Sequence, residues 1–371
     1  MMLRTVNNAK NAGTEKRARE SGIELIRIFA ILGVIFIHFS DQALRLLNHA
    51  AALENLHVVL FLRSFFSSSV DIFLIISGYF MCKSYNRTIG KPFDLIWQVC
   101  FYQGLYYIVL VVLGREPFGL FHIVSAAIPD CYYANLFVAL YFISPFINRI
   151  LNSLTQKELR RFIIMVLLLF SVYSTLCTML NEVSNKEWMG ISTIGAWGSQ
   201  QGFNIVNFVL CYCMGAFVRL YEMPQKITKL GHLSLTLVTL TIVIFAWAEI
   251  NQVLPRYGMR SAWVYDNPLV LLHALVIFLI ARRISFRSRI VNSIAKAVYP
   301  LFIIHCLLIW YIDIEGVAMG QWYDLLGYYL LFALCSFLIS YIVYYLYKGL
   351  FKPLISRLDS YQIKYFDNTA I

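Results

Sequence analysis

The sequence has few charged residues for its length. Only 14% of its 371 residues are Asp, Glu, Lys or Arg, whereas 60% are hydrophobic, and the mean hydropathy is +0.67. Soluble domains carry about a quarter charged residues. The apolar residues stand in blocks of roughly 20, which matches the thickness of a bilayer core. This shortage of charge excludes an ordinary soluble domain and predicts a multi-pass membrane protein.

Signals of several other protein classes are also missing. The formal net charge is +11, but no basic face is interleaved with aromatic residues, so we expect no nucleic-acid partner. No small-residue cleavage site follows the basic N-terminal segment, so residues 1–20 are expected to form a cytosolic tail. The eight cysteines form no CxxC motif. We therefore predict cysteines that act as small apolar residues, and no metal site.

The apolar blocks predict an all-α bundle of about ten transmembrane helices. Turn-forming segments such as GREPFG and PRYG separate them. The bundle is predicted to occupy residues 21–350 and to be followed by a cytosolic tail, residues 351–371. The predicted spans are residues 22–40, 65–82, 93–113, 132–149, 161–180, 203–220, 231–250, 267–284, 298–314 and 324–347.

The basic residues are distributed unevenly between the predicted loops. If the N-terminus is cytosolic, 24 of the 31 Lys and Arg residues lie in inner segments and six lie in outer loops. The remaining one, Arg27, lies inside the first span. Basic residues are concentrated in the cytoplasmic loops of membrane proteins. This asymmetry predicts that both termini are cytosolic.

The stretch IELIRIFAILGVIFIHFSD, residues 23–41, contains the ionisable Glu24, Arg27 and His38 of the first span and Asp41 directly after it. Arg27 and His38 are eleven residues apart, which places them about 20° apart around a helix and about 16 Å apart along it. Glu24 and Asp41 lie near the same stripe. Ionisable groups within a membrane usually mark a functional site. Glu24 and Arg27 could instead form a boundary pair that extends towards the interface, and His38 could lie at the outer boundary.

Two further spans contain polar residues. In SSSVDIFLIISGYFMCKS, Asp71 is predicted near the outer end, Ser77 lies deeper, and Lys83 lies at the inner mouth. The Ser77–Gly78 pair is more typical of a close contact between helices. In NSIAKAVYPLFIIHCLLIW, His305 is predicted near the middle of the span, where it could function in chemistry or simply bond to a neighbouring carbonyl.

Five segments carry motifs that occur together, and in this order, in one family. They are IELIRIFAILGVIFIHF, SSSVDIFLIISGYFMCKS, NLFVALYFISPFINRIL, FVLCYCMGAFVRLY and AVYPLFIIHCLLIW. The Arg-to-His spacing, the Ser-Gly-Tyr span and the late His are the most specific of these. Over about residues 21–347, the sequence resembles the membrane acyltransferase type 3 family.

The resemblance implies a ten-span bundle in the bacterial plasma membrane. Such a protein would move an acyl group, commonly acetyl, from cytosolic acyl-CoA to a surface polysaccharide or lipid-linked sugar. Acyl-CoA would be the donor, and no metal is implied. Many members have a dense Arg-rich cluster after the second span, whereas this sequence has only Lys83, Arg87 and Lys91 there. No oligomeric state is predicted.

The polar residues fit the donor side of such a reaction. Arg27 is placed to hold an anionic phosphate or the pantetheine group near the inner face. Glu24, Ser77 and Lys83 are the other residues that we expect on the side of coenzyme A.

The catalytic expectation centres on His38. This imidazole could take the proton of the acceptor hydroxyl, or it could itself become acylated and relay the group outwards. Asp41 or Asp71 could orient it, and His305 is a further candidate base. The alternative class is a proton-coupled secondary transporter, because ten spans with intramembrane Arg, His and Asp also suit a carrier. The sequence shows no paired repeat of the kind that many transporters have.

Overall fold

The computed structural model describes residues 20–47, 53–186, 188–221, 223–225, 228–253 and 260–366. It is 79% helical with almost no strand, so the predicted all-α fold is confirmed. Its strands are two residues each, β1 (Arg87–Thr88) and β2 (Gln362–Ile363), and they pair antiparallel. Apart from Glu20, the predicted N-terminal tail lies outside the described residues.

Ten apolar helical segments correspond one to one to the ten predicted spans. Within the described part of the chain, nine are long and apolar enough to cross a membrane, and the tenth, α6, is shorter. The multi-pass membrane bundle is therefore confirmed, whereas the cytosolic location of the termini stays a prediction. The segments are α1 (Ser21–Leu47), α2 (Leu53–Met81), α3 (Gly90–Val112), α4 (Tyr132–Ser153), α5 (Gln156–Ser184), α6 (Ile205–Leu220), α7 (Leu230–Gln252), α8 (Ser261–Ala281), α9 (Arg289–Tyr311) and α10 (Trp322–Asp359).

Several of these segments contain breaks or irregular turns. A turn at residues 67–68 divides α2 into Leu53–Phe66 and Ser69–Met81, and α5 contains a π-helical stretch, Leu168–Val172. Helix α8 consists of Arg260–Trp263 and Pro268–Ala281, and α9 consists of Arg289–Ile294, Ala295–Ala297, Val298–Leu308 and Ile309–Tyr311. Three short helices lie between segments: Leu120–Ala127, Gln200–Gly202 and Glu315–Ala318.

Two helices extend well beyond their predicted ends. In the described chain, helix α2 begins at Leu53 rather than at residue 65. The first half was not predicted as part of the span because Glu54, His57 and Arg63 make it less apolar. Helix α10 continues to Asp359 and so passes the boundary predicted at residue 350. Hydropathy marks the part of a helix that suits lipid, but a helix can continue into water wherever its backbone remains hydrogen-bonded.

Helices α2 and α6 approach each other closely at two glycines. A Cβ on Gly78 would lie 2.0 Å from the carbonyl oxygen of Tyr212, and one on Gly215 would lie 2.0 Å from that of Ile75. Only glycine allows two backbones to approach so closely. The packing contact predicted at the Ser77–Gly78 pair is therefore confirmed at Gly78.

Helices α1 and α9 run side by side in the same direction. Near their beginnings, the hydroxyl of Ser21 donates to Asn292 Oδ1 at 3.0 Å. Further along, the rings of His38 and His305 are in contact. Tyr329 of α10 donates to the carbonyl of Leu32 at 2.8 Å and holds this pair from another side. The parallel arrangement brings together two histidines that are far apart in the sequence.

Candidate active site

His38 and His305 form a pair within the bundle. Their ring centroids are 5.2 Å apart, and His305 is fully buried. Nδ1 of His305 lies 2.7 Å from the carbonyl oxygen of Leu301. Because a carbonyl can only accept, Nδ1 must carry the hydrogen, and Nε2 is left with a lone pair in the neutral ring. His38 has no hydrogen-bond partner among the described residues, so no described side chain engages its nitrogens.

Cys306 lies beside this pair. Its Sγ is 3.4 Å from Nε2 of His305, and one donor atom from each of Cys306, His305 and His38 lies within 4.8 Å of the others. Three such donors could hold one soft metal ion. The expectation that the protein has no metal site therefore stays a prediction.

A cavity of about 280 Å³ lies between α1, α2, α3, α4 and α9. Three cationic side chains line it, those of Arg27, Lys91 and Lys296. Arg27 is partly exposed and forms an ion pair at 3.3 Å with the buried carboxylate of Glu24. Since this pair neutralises only one of the three cations, the cavity keeps a positive charge and is suited to an anion.

Aromatic side chains line the part of the cavity that is nearest to the histidine pair. Phe302 lines the cavity, and its ring centroid is 6.2 Å from that of His305. Tyr133, another lining residue, packs on Phe302 with 5.0 Å between the ring centroids. Phe302 and Tyr133 therefore separate the cationic cavity from the imidazoles.

The structure places Asp71 in a different cluster. This carboxyl group is fully buried, and its Oδ1 accepts from Asn207 Nδ2 at 3.1 Å and lies 3.5 Å from the Sγ of Cys211. Both partners belong to α6. Asp71 therefore links α2 to α6 at their close contact.

Asp41 is held by Arg63. Their ion pair measures 2.6 Å, and Arg63 also donates to the carbonyl of Ile37 at 3.0 Å and to Oγ of Ser40 at 2.6 Å. In the part of the chain that the structure describes, neither Asp41 nor Asp71 hydrogen-bonds to His38. The expected role of these carboxylates in orienting His38 stays a prediction that no contact supports.

The expected residues of the donor side are only partly brought together. Ser77 lines the cationic cavity together with Arg27, and its hydroxyl donates to the carbonyl of Phe73 at 2.8 Å. Lys83 is exposed beyond the end of α2 and is not among the residues that line the cavity. Glu24 reaches the site through its ion pair with Arg27.

Sequence reasoning did not select Lys91 and Lys296 as site residues. In the sequence, Lys91 is one of the three basic residues that stand where many family members have an Arg-rich cluster, and Lys296 is one of the inner basic residues. Each stands close to the beginning of a predicted span. The neighbouring Arg87 has a structural role, because it is buried and donates to the carbonyl of Tyr141 and to Oγ of Ser144. Burial lowers the pKa of this guanidinium.

Together, the bundle and its intramembrane polar groups define an integral membrane protein with a candidate active site within the lipid region. The chain matches the family model of the acyltransferase domain over residues 20–345. This match covers most of its length, and the protein belongs to the acyltransferase type 3 family. No curated protein and no solved structure matches the chain.

Proposed function

We propose that this protein transfers an acetyl or other acyl group from cytosolic acyl-CoA to a hydroxyl of a surface polysaccharide or lipid-linked sugar. Membership of the acyltransferase family supports the reaction class. One observation carries the assignment of residues. The parallel helices α1 and α9 place the His38–His305 pair beyond a cationic cavity that contains Arg27.

The donor side of the proposal is the cationic cavity. The phosphates of coenzyme A are anions, and Arg27, Lys91 and Lys296 come from three different helices that surround one space. Arg27 and His38 are about 16 Å apart along the axis of α1, a distance that an extended pantetheine arm can span. The arm would have to pass Phe302, whose side chain separates the cavity from His305.

The proposed chemistry is attack of the acceptor oxygen on the thioester carbonyl. His38 takes the proton of the hydroxyl, the new C–O bond forms, the C–S bond breaks, and the coenzyme A thiolate leaves and is protonated. In the relay form of the mechanism, a nitrogen of His38 attacks first and the acylated imidazole then passes the group to the hydroxyl. Both forms need an imidazole nitrogen that no side chain already occupies.

Transfer of radiolabelled acetyl from acetyl-CoA to envelope carbohydrate tests the proposal. The full chain would be assayed in membrane vesicles, with coenzyme A release as the second readout. We expect labelled carbohydrate with the unaltered protein and almost none with His38→Gln. Incorporation that does not depend on the protein, with no release of coenzyme A, would contradict acyl transfer.

A proton-coupled transporter is the second candidate. It is favoured by Asp71, which is fully buried and whose Oδ2 has no partner among the described residues. Buried carboxyl groups of this kind occur in proton relays. Proton movement into liposomes that accompanies solute uptake, in the absence of acetyl-CoA, would favour this candidate over acyl transfer.

A further inference from the structure

A second and larger cavity lies on the other side of α2. Its volume is about 790 Å³, and it is formed by the ends of α2, α6 and α8 and by the segment before α7. Ser77 lines the Arg27 cavity and Tyr79 lines this one. Two residues along a helix are about 200° apart, so the two cavities open on opposite sides of α2. We call the larger one the Tyr79 cavity.

Four cations line the Tyr79 cavity, Arg219 from α6, Lys229 from the segment before α7, and Arg282 and Arg283 from the end of α8. No Asp or Glu is among the described residues that line it. Arg219, Arg282 and Arg283 lie at the predicted inner ends of their spans, and Lys229 lies in a predicted inner loop. The general bias of inner loops towards basic residues explains their sign. It does not explain why several segments bring them to one cavity.

The ring of Tyr79 holds two of these guanidinium groups. The Cζ atoms of Arg219 and Arg282 each lie 5.1 Å from its centroid, and Arg219 also donates to the Tyr79 hydroxyl at 3.2 Å. The two cationic carbons are therefore no further apart than twice that distance. Each cation is attracted to the ring, but the two repel each other. An anion that contacts both guanidinium groups would be attracted to each, and these two attractions would offset the repulsion.

Arg283 and Lys229 complete the charged lining. Arg283 donates to Oγ1 of Thr228 at 2.7 Å, and Lys229 is exposed, with no hydrogen bond from its side chain to any described residue. Guanidinium groups bind phosphate through two parallel hydrogen bonds, whereas lysine acts as a point charge. The volume is in the range of small-molecule sites.

We propose that the Tyr79 cavity binds a phosphate-bearing group, with Arg219 and Arg282 as its main ligands. The group comes either from a soluble nucleotide in the cytosol or from the headgroup of an anionic lipid in the inner leaflet. The site is separate from the Arg27 cavity, and the proposal does not depend on acyl transfer because its readout is binding.

The test uses the full chain in nanodiscs of phosphatidylcholine. In one arm, calorimetry measures the binding of adenosine 3′,5′-bisphosphate. In the other arm, native mass spectrometry measures how many phosphatidylglycerol molecules are retained from mixed nanodiscs. The variant is the double substitution Arg219→Gln and Arg282→Gln. The matched control is Arg160→Gln with Arg161→Gln, which removes two exposed cations from a neighbouring, predicted inner segment outside both cavities.

We expect the double variant to weaken the binding of one of the two ligands about tenfold or more, while the control changes the binding of neither. Loss of the bisphosphate assigns a nucleotide, and loss of phosphatidylglycerol assigns a lipid. Lys229→Gln is the second variant, because it removes no hydrogen bond that supports the described fold. It should weaken the same ligand to a smaller extent.

Unchanged binding of both ligands in the double variant and in Lys229→Gln would overturn the proposal, as would an equal loss in the control. Lys91→Gln with Lys296→Gln separates the two cavities. If bisphosphate binding is lost only when these two lysines are replaced, and no variant changes the retention of phosphatidylglycerol, the Tyr79 cavity is not the site. That result would leave the donor site of the proposed acyl transfer intact.

Discussion

Two polar clusters inside the bundle differ in how their side chains are engaged. Asp71 is bound to Asn207 and Cys211, so it links α2 to α6. His38 faces His305, and neither of its nitrogens is hydrogen-bonded to a described residue. A buried polar group that is already bonded stabilises the packing, whereas an imidazole without a partner can accept a proton. The comparison predicts a structural effect for one residue and a chemical effect for the other.

The largest effect is expected from His38→Gln. Glutamine keeps the polarity but cannot take a proton, so acetyl transfer should fall by about 10²–10⁴-fold while acyl-CoA binding is kept. Two quantities are measured, the rate of transfer of labelled acetyl and the affinity for acetyl-CoA. Near wild-type transfer by a folded variant would leave His305 or a carboxylate as the base.

The pH profile sharpens the same prediction. Transfer should decrease as the pH falls through the pKa of the His38 imidazole, because the protonated ring cannot accept the proton of the hydroxyl. In His38→Gln, the small residual rate should lose this dependence. If the transfer rate decreases at low pH in the same way in both proteins, this decrease comes from the titration of another group.

Asp71→Ala should act mainly on stability. The substitution leaves the Asn207 amide and the Cys211 thiol without their acceptor, so unfolding should become easier by about 1–3 kcal/mol. Thermal unfolding in detergent measures this loss, with Ser77→Ala, whose hydroxyl bonds only within its own helix, as the milder comparison. A rate loss as large as that of His38→Gln, at unchanged stability, would move Asp71 into the chemistry.

A smaller effect is expected at the cationic cavity. Arg27→Ala should raise the apparent KM for acyl-CoA about tenfold, since one charged contact to the donor is lost. Arg27→Lys should restore only part of the affinity, because a point charge replaces a planar fork. Lys91→Gln should resemble Arg27→Ala, and Lys83→Gln is the control outside the cavity. If all four variants have the same KM as the unaltered protein, Arg27 is a boundary residue.

The smallest functional effect is expected from cysteines placed to test the orientation. Lys157→Cys and Arg287→Cys should be shielded from an impermeant thiol reagent added to intact cells, whereas Met189→Cys should react. The parent protein gives the background from its native cysteines. Labelling of the first two positions from outside would invert the predicted topology.

The sequence was sufficient to predict the helices and the polar face of α1. Ten apolar blocks are long enough to be read individually, and the eleven-residue spacing of Arg27 and His38 lies within one helix. The pairing of His38 with His305 is a contact between distant segments, and it depends on α1 and α9 running in parallel. Periodicity within one helix carries no information about its neighbour.

The partners of the carboxyl groups could not be predicted for a similar reason. Asp71 and His38 have similar predicted depths, but the close approach of α2 to α6 directs Asp71 to Asn207. The sequence shows Lys91 only as one of three basic residues after the second span, and Lys296 only as an inner basic residue. They become part of a site because five helices surround one cavity.

The pairing of β1 with β2 gives the end of the described chain a role beside the cationic cavity. Residues 362–363 pair with Arg87 and Thr88, a few residues before Lys91, and Thr88 donates to Oδ1 of Asp359 at 3.2 Å. Gly90 packs so closely on Asp359 that a Cβ there would lie 2.4 Å from its Oδ1. The last residue of α10 and strand β2 therefore act together as a clasp on β1 and on the beginning of α3. A truncation after residue 350 would release this clasp and loosen the cavity wall that carries Lys91, although no residue of the cavity itself would be removed.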